Sequence, residues 1–243
     1  MRMNRLISAI QFLSVLPIGK PGTFDKGMPQ CFPLVGLILG IMLSIFDLGV
    51  SQLWPRPVVA LLDVVFLAFV TGALHLDGLG DTADGLYGNR PREKALAIMK
   101  DSRIGAMGLV AIVCGLAVKW GGLMSLDAHR SLLLVIIPAY ARAGMLFGFR
   151  FLKYGRPGGG TGHALFQDPL KWSAFWGLLV LVGLSFFAGW RGIWLNLAFG
   201  ITIFLTLWYY KKKMGCITGD MLGAMCEITE SALFLMVAVG GQA

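Results

Sequence analysis

The stretch HLDGLGDTADG (residues 75–85) gathers three aspartates among glycines directly behind a run of apolar residues. Asp77, Asp81 and Asp84 are spaced i, i+4 and i+7, which places three carboxylates on one face of a helix. Stacked in that way they repel one another, so a counter-charge is expected. Hard oxygen donors suit Mg²⁺, an ion commonly shared between carboxylates and substrate phosphates. Gly78, Gly80, Gly85 and Gly88 weaken a helix and let backbone approach a bulky ligand. A loosened or broken helix end is expected here.

The surroundings decide where this charge lies. Of 243 residues 56% are hydrophobic and 14% charged, with a mean hydropathy of +0.73. Soluble chains cover themselves with more polar surface than that. Apolar stretches of about 20 residues recur, the length that crosses a bilayer core. Seven candidate spans follow: 32–53, 58–76, 104–124, 131–151, 172–190, 193–210 and a less apolar 222–239. Each is read as helix, because a lone strand leaves its backbone polar groups unsatisfied in lipid. The expected fold is an all-α, polytopic integral membrane protein with about seven transmembrane helices. Residues 1–243 then form one membrane-embedded catalytic domain. The amphipathic opening (1–30) is read as an uncleaved interfacial segment, since Pro17 ends a run too short to span and no small-residue cleavage site follows. The four cysteines, with no C-x-x-C spacing, read as small apolar residues.

With the amino terminus in the cytoplasm, sixteen of the 21 Lys and Arg residues fall on the inner side. Arg56, Arg130 and Arg191 fall outside, and Lys119 and Arg142 lie within spans. Lys and Arg resist translocation, which supports this orientation. The net charge of +8 is thereby explained by topology, and nucleic acid is not needed as a partner. Residues 75–85 come to lie at the cytoplasmic mouth of the second span. KDSRIGAMG (100–108), GRPGGGTGH (155–163) and TGDMLGAMCEITE (218–230) share that side. The outer loops are short and plain, and Asp127 on one of them is expected to be dispensable.

Chemistry is therefore sought on the inner face. Asp220 and Glu227 are seven apart and share a helix face, with Glu230 rotated modestly from it. Glu227 and Glu230 lie one to two turns into an apolar segment, where such a group is costly. Three roles are open to them: ligating a second metal, holding a basic partner such as Arg142 or Lys119, or staying protonated. Asp47 and Asp63, isolated toward the outer half, are assigned no chemistry. The run 155–163 offers backbone N–H groups at Gly159, Gly160 and Thr161 that can cradle phosphate, with Arg156 and His163 beside them. Lys100 and Arg103 are candidate phosphate contacts, and residues 91–100 read as a short surface helix. Acids for a metal beside cations and glycines for phosphate indicate phosphoryl chemistry. A carboxylate or His75 would accept the attacking hydroxyl's proton.

HLDGLGDTADGLYG (75–88), KDSRIGAMG and TGDMLGAMCEITE together resemble the signatures of the cobalamin synthase family, the adenosylcobinamide-GDP ribazoletransferases. The resemblance runs from about residue 30 to 235. It implies an Mg²⁺-dependent reaction in which a ribose hydroxyl of α-ribazole, or of its 5'-phosphate, attacks the cobinamide-side phosphate of adenosylcobinamide-GDP and GMP leaves. It also implies a bacterial inner-membrane location and Asp77, Asp81 and Asp84 as metal ligands; Glu227 and Glu230 stay metal candidates on the reading of the residues alone. Lys100, Arg103, Thr218, Gly219 and Asp220 match its substrate-binding motifs. Among the candidate bases Asp84 ranks first and His75 second, and Asp81 is a further catalytic candidate. Cys216 stands where the family pattern has an aromatic, and the first thirty residues match nothing functional.

Two other readings compete. A CDP-alcohol phosphotransferase motif opens with the spacing of Asp81, Asp84 and Gly85, but Gly88 and Asn89 replace its Ala-Arg. A small ion-coupled transporter would need polar residues running through to the outer face and often an internal repeat, which is lacking. Besides its substrates, the chain's expected surroundings are membrane lipid, and small residues along the spans would permit a homo-oligomer.

Overall fold

Thr71, Gly72 and Ala73 interrupt the second apolar segment, and that break shapes the molecule. A computed structural model describes residues 3–20, 22, 25–156 and 163–239. In order they form α1 (Met3–Leu13), α2 (Phe32–Val50), α3 (Arg56–Val70), α4 (Leu74–Leu86), α5 (Arg92–Ile98), α6 (Ala106–Met124), α7 (Arg130–Phe151), α8 (Trp176–Ser185), α9 (Trp190–Lys213) and α10 (Gly219–Val237). No strand occurs among the described residues. Pro29–Val50, α6, α7 and α9 are each long and apolar enough to cross a membrane. The pair α3 and α4 makes a fifth crossing if taken as one bent span, with 88° between its halves. Against the seven expected spans, the described residues hold four that qualify by length and composition, or five with the bent pair. Trp172–Ala188 is helical but shorter, and α10 carries three carboxylates.

The second span, expected to run to residue 76, ends at Val70. Gly72 and Ala73 take φ of +59° and +55°, a left-handed conformation that ends one helix and redirects the next. The amide of Val15 donates to the freed carbonyl of Val70 at 2.9 Å, so the segment after α1 closes the break. The glycines of α4 do not loosen it. A Cβ on Gly78 would lie 2.7 Å from the carbonyl oxygen of Asp220, so that glycine lets α4 and α10 touch.

α7 is the central helix and is buried along most of its length, whereas α6 and α9 present broad apolar faces outward. Gly36 and Gly40 of α2 meet α7 backbone at Ala139 and Val135, where any side chain would collide. These small residues are thus spent inside the chain. Loops gather at two ends. At one end Gly155 N–H donates to Ile217, Ile217 N–H to Lys153, and Lys213 Nζ to the carbonyl of Gly88. At the other, Trp120 bonds Pro57 and Arg191 bonds the Ala128 carbonyl and Asp127. Asp127, expected to be dispensable, thus neutralises the buried guanidinium of Arg191. Asp47 and Asp63 both close onto Arg130, at 2.6 Å each. Their assignment to structure rather than chemistry accords with that pairing.

Candidate active site

Three motifs meet where α4, α10 and the amino end of α6 converge. Asp77 and Asp81 are exposed and half-buried on α4, and neither forms a hydrogen bond or ion pair among the described residues. Asp220, from the first turn of α10, is close enough to both to act on them electrostatically. Arg156 reaches Asp220 at 2.7 Å and also donates to the carbonyl of Met99 at 3.2 Å. The sequence presents Arg156 only as a neighbour of a glycine run. Folding makes it the one cation paired with any of these three aspartates among the described residues.

Asp84 has a different task. Its two oxygens accept from the amides of Gly105 and Gly108, at 2.7 and 2.9 Å. Those are unpaired N–H groups of the first turn of α6, so Asp84 caps that helix from outside and meets the positive end of its dipole. Both glycines are needed, because a Cβ at either would strike the carboxylate. This bonding fixes the carboxylate of the favoured general base against α6 and leaves one lone pair on each oxygen. Thr218, expected at substrate, is fully buried and caps α10 by accepting from Met221 N–H at 3.2 Å. Gly219 is exposed beside it. Gly159, Gly160 and Thr161 lie outside the described residues.

Deeper along the same two helices the charges are paired. Lys119 of α6 contacts Glu227 and lies 2.8 Å from Glu230, which also pairs with Arg142 of α7. All four are buried. Of the three roles left open for Glu227 and Glu230, holding basic partners is the one this geometry matches. A metal there would have to displace two cations already seated. His75, 3% exposed, adjoins this cluster, and its Nε2 has no hydrogen-bond partner among the described residues.

On the loop before α6, Lys100 is exposed and forms no ion pair among the described residues, while Arg103 grips Asp101 through bonds of 2.6 and 3.0 Å. That hydrogen-bonded guanidinium holds the Asp101 carboxyl down to about 2. Those bonds use Nε and Nη2, so the N–H groups of Nη1 remain for a phosphate. α5 before this loop is the short surface helix expected, anchored by Ala95 and Met99.

The donor chemistry fits a hard divalent cation in one place. Asp77 and Asp81 offer oxygens that nothing else engages, next to a third carboxylate, and this is the arrangement that Mg²⁺ relieves. No cluster of three or more His, Cys, Asp or Glu is drawn together in ligating geometry among the described residues. The rest of the ion's shell would come from water and substrate phosphate, which is usual for Mg²⁺.

Apolar residues that the sequence assigns no function flank the carboxylates. Phe12 and Leu13 of α1 share a cavity lining with Asp77 and Asp220, as do Leu165 and Phe166 of the short helix His163–Phe166. The amphipathic opening segment therefore belongs to the site.

The family model for cobalamin-5-phosphate synthase matches residues 5–239. An adenosylcobinamide-GDP ribazoletransferase of Alkaliphilus metalliredigens is 38% identical, over 98% of this chain and 97% of that protein. Proteins of the same description from Acetivibrio thermocellus and Pseudomonas putida are 32% and 38% identical, over 96% and 95% of this chain and 97% of each relative. No solved structure matches. The model match and the near-complete coverage of these relatives agree with the three converging motifs, and the chain belongs to the cobalamin-5-phosphate synthase family.

Proposed function

We propose that this chain is the transferase that joins adenosylcobinamide-GDP to α-ribazole, or to its 5'-phosphate, and releases GMP. The observation that carries the reading is convergence. Residues 75–88, 100–108 and 218–230 are far apart in sequence, yet Asp84 bonds Gly105 and Gly108 while Gly78 packs on Asp220. In the reaction a ribose hydroxyl of the acceptor attacks the cobinamide-side phosphorus. A new P–O bond forms, and the bond to GMP breaks with its electron pair leaving on the GMP phosphate.

Asp81 receives the hydroxyl proton in this scheme. Its oxygens are unengaged, whereas those of Asp84 are committed to α6 and His75 is enclosed. Arg156, Lys100 and Arg103 supply positive charge for the diphosphate. Asp77 and one oxygen of Asp81 would hold Mg²⁺, which leaves the other Asp81 oxygen for the proton. When bound, the ion supplies charge neutralisation for the diphosphate oxygens and the leaving phosphate. A transport path is disfavoured because Asp47 and Asp63, the acids it would use in the outer half, are both closed onto Arg130.

The distribution of Lys and Arg supports an inner-membrane protein with its amino terminus and site facing the cytoplasm. The deciding experiment supplies the purified protein in lipid with adenosylcobinamide-GDP, α-ribazole and Mg²⁺. Cobalamin and GMP should appear together, and omission of any component should abolish both. Release of CMP from a CDP-alcohol instead would move the chain to the rival family.

A further inference from the structure

The chain that follows Phe166 passes from the cavity beside the carboxylates to a second one, of about 280 Å³ and opposite charge. This cleft lies between α1, the turn Pro29–Cys31 and the segment that leads into α8. Arg5, Lys26 and Lys171 line it, and Asp168 is the one acid in its lining. Lys26 lies 2.5 Å from Asp168, while Lys171 is exposed and has no ion pair among the described residues. Gln30 and Ser173 add uncharged donors.

The arginine is set in place before any ligand arrives. Asp25 accepts from Arg5 Nε at 2.9 Å and from the Gly27 amide at 2.7 Å. The guanidinium rests against Gly27, where a Cβ would fall 2.4 Å from its central carbon. Asp25 engages only Nε, so the Nη groups remain for a phosphate, whose oxygens match a guanidinium fork. With Asp25 counted beside the lining, three cations face two acids among the described residues. One positive charge is left for a ligand to meet.

The position of the cleft selects the anion. Trp172 and Trp176 flank the lining residues Ser173 and Ala174 and are exposed, as are Leu179 and Val180 further along α8. Exposed tryptophans of this kind settle at the membrane–water boundary, and the apolar surface beyond them meets acyl chains. The cleft therefore sits at headgroup level, beside the tails. Arg5 precedes Phe12 by one face-repeat of α1, about 10 Å along its axis, which separates the cleft from the carboxylates.

We infer that this cleft binds the phosphodiester of an anionic phospholipid. A headgroup with one net negative charge, such as phosphatidylglycerol, neutralises the cluster. A zwitterionic headgroup brings an ammonium that the same cations repel, and a free phosphate has no acyl chains for the flanking apolar surface. The bound lipid ties α1 to the segment before α8, and α1 carries Phe12 and Leu13 to the lining of the carboxylate cavity.

The test titrates the full chain, in a neutral detergent, with dioctanoyl phosphatidylglycerol, dioctanoyl phosphatidylcholine or inorganic phosphate and follows the melting temperature. Phosphatidylglycerol should raise it saturably, because a ligand of the folded state stabilises that state. The other two should leave it unchanged. Lys171→Gln should weaken the apparent affinity about fivefold, the worth of one basic residue at an anionic surface, and Lys171→Glu should weaken it further. Ser173→Asp, which adds an acid to the lining at a second exposed position, should also weaken it. Both positions are exposed, so without lipid these variants should melt like the wild type. Lys94→Glu, on the exposed face of α5 and outside the cleft, should respond as the wild type does.

An equal rise with phosphatidylcholine, or with inorganic phosphate, overturns the inference, the second by giving the cleft to a free anion. A full response in both Lys171→Glu and Ser173→Asp overturns it as well. So does an equal loss in Lys94→Glu, which would reveal diffuse attraction to charged lipid in place of a site.

Discussion

α4 and α10, with their neighbours, carry two groups of acids that differ in how their charge is met. In the deeper group Glu227 and Glu230 face Lys119 and Arg142, two negative charges against two positive. In the shallower group Asp77, Asp81, Asp84 and Asp220 have a single paired cation among the described residues, Arg156. Asp220 and Glu227 are seven residues apart on one helix, about 10 Å along its axis. The balanced group sits where lipid and protein exclude water, and there an unmatched charge is not tolerated. The unbalanced group sits at an end open to solvent and substrate, where the missing positive charge can come from a ligand. Acidic residues alone do not mark a reaction site; acids left without partners do.

Substitutions that treat the two groups alike would break this contrast. The largest effect is expected from Asp81→Asn, which should cut turnover by about 10²–10⁴-fold, the usual worth of a general base. Its melting temperature in detergent should be unchanged. A stable and fully active Asp81→Asn protein would remove that residue from the chemistry.

Glu230→Ala should do the opposite kind of damage. Stripping one partner from a buried ion-pair cluster costs about 3–5 kcal/mol, so poor yield and a markedly lower melting temperature are expected. If Glu230→Ala melts like the wild type but loses turnover, the deeper acids belong to the reaction after all.

Asp84→Ala comes third. Freeing two amides of α6 should cost about 1 kcal/mol in stability, as loss of a helix cap does. Asp84→Asn keeps one acceptor oxygen and should retain most turnover. Loss of activity in Asp84→Asn as deep as in Asp81→Asn would return the base to Asp84.

The smallest change is expected at the opposite end of the molecule. Asp127→Asn should lower the melting temperature by less than Asp84→Ala does, because Asn still hydrogen-bonds Arg191, and turnover should be intact.

Much of this was readable in the letters. The i, i+4, i+7 register of Asp77, Asp81 and Asp84 is a local property of helices and survives folding, as does the shared face of Asp220 and Glu227. The pairing of Glu230 with Arg142 or Lys119 was among the alternatives because buried charges need partners. Other features left no comparable trace. Asp84 bonds to backbone amides, which every residue but proline carries, so no letter at positions 105 or 108 advertises them beyond the absence of a side chain. The break at Thr71–Ala73 lies inside an apolar run whose one local signal is Gly72. Phe12 and Leu13 line the cavity through apolar contacts indistinguishable in sequence from those of any amphipathic surface helix. Arg156 meets Asp220 only because Gly155 and Ile217 are joined by backbone bonds across more than sixty residues.

The bond from Val15 N–H to the Val70 carbonyl has a practical corollary. Trimming the first fifteen residues as if they were an export leader would unseal a peptide group at the elbow of a helical hairpin. It would also unroof the cavity above Asp77, since Phe12 and Leu13 leave with them. Expression tags belong elsewhere on this chain, and a truncated form should be judged by whether the elbow is still closed.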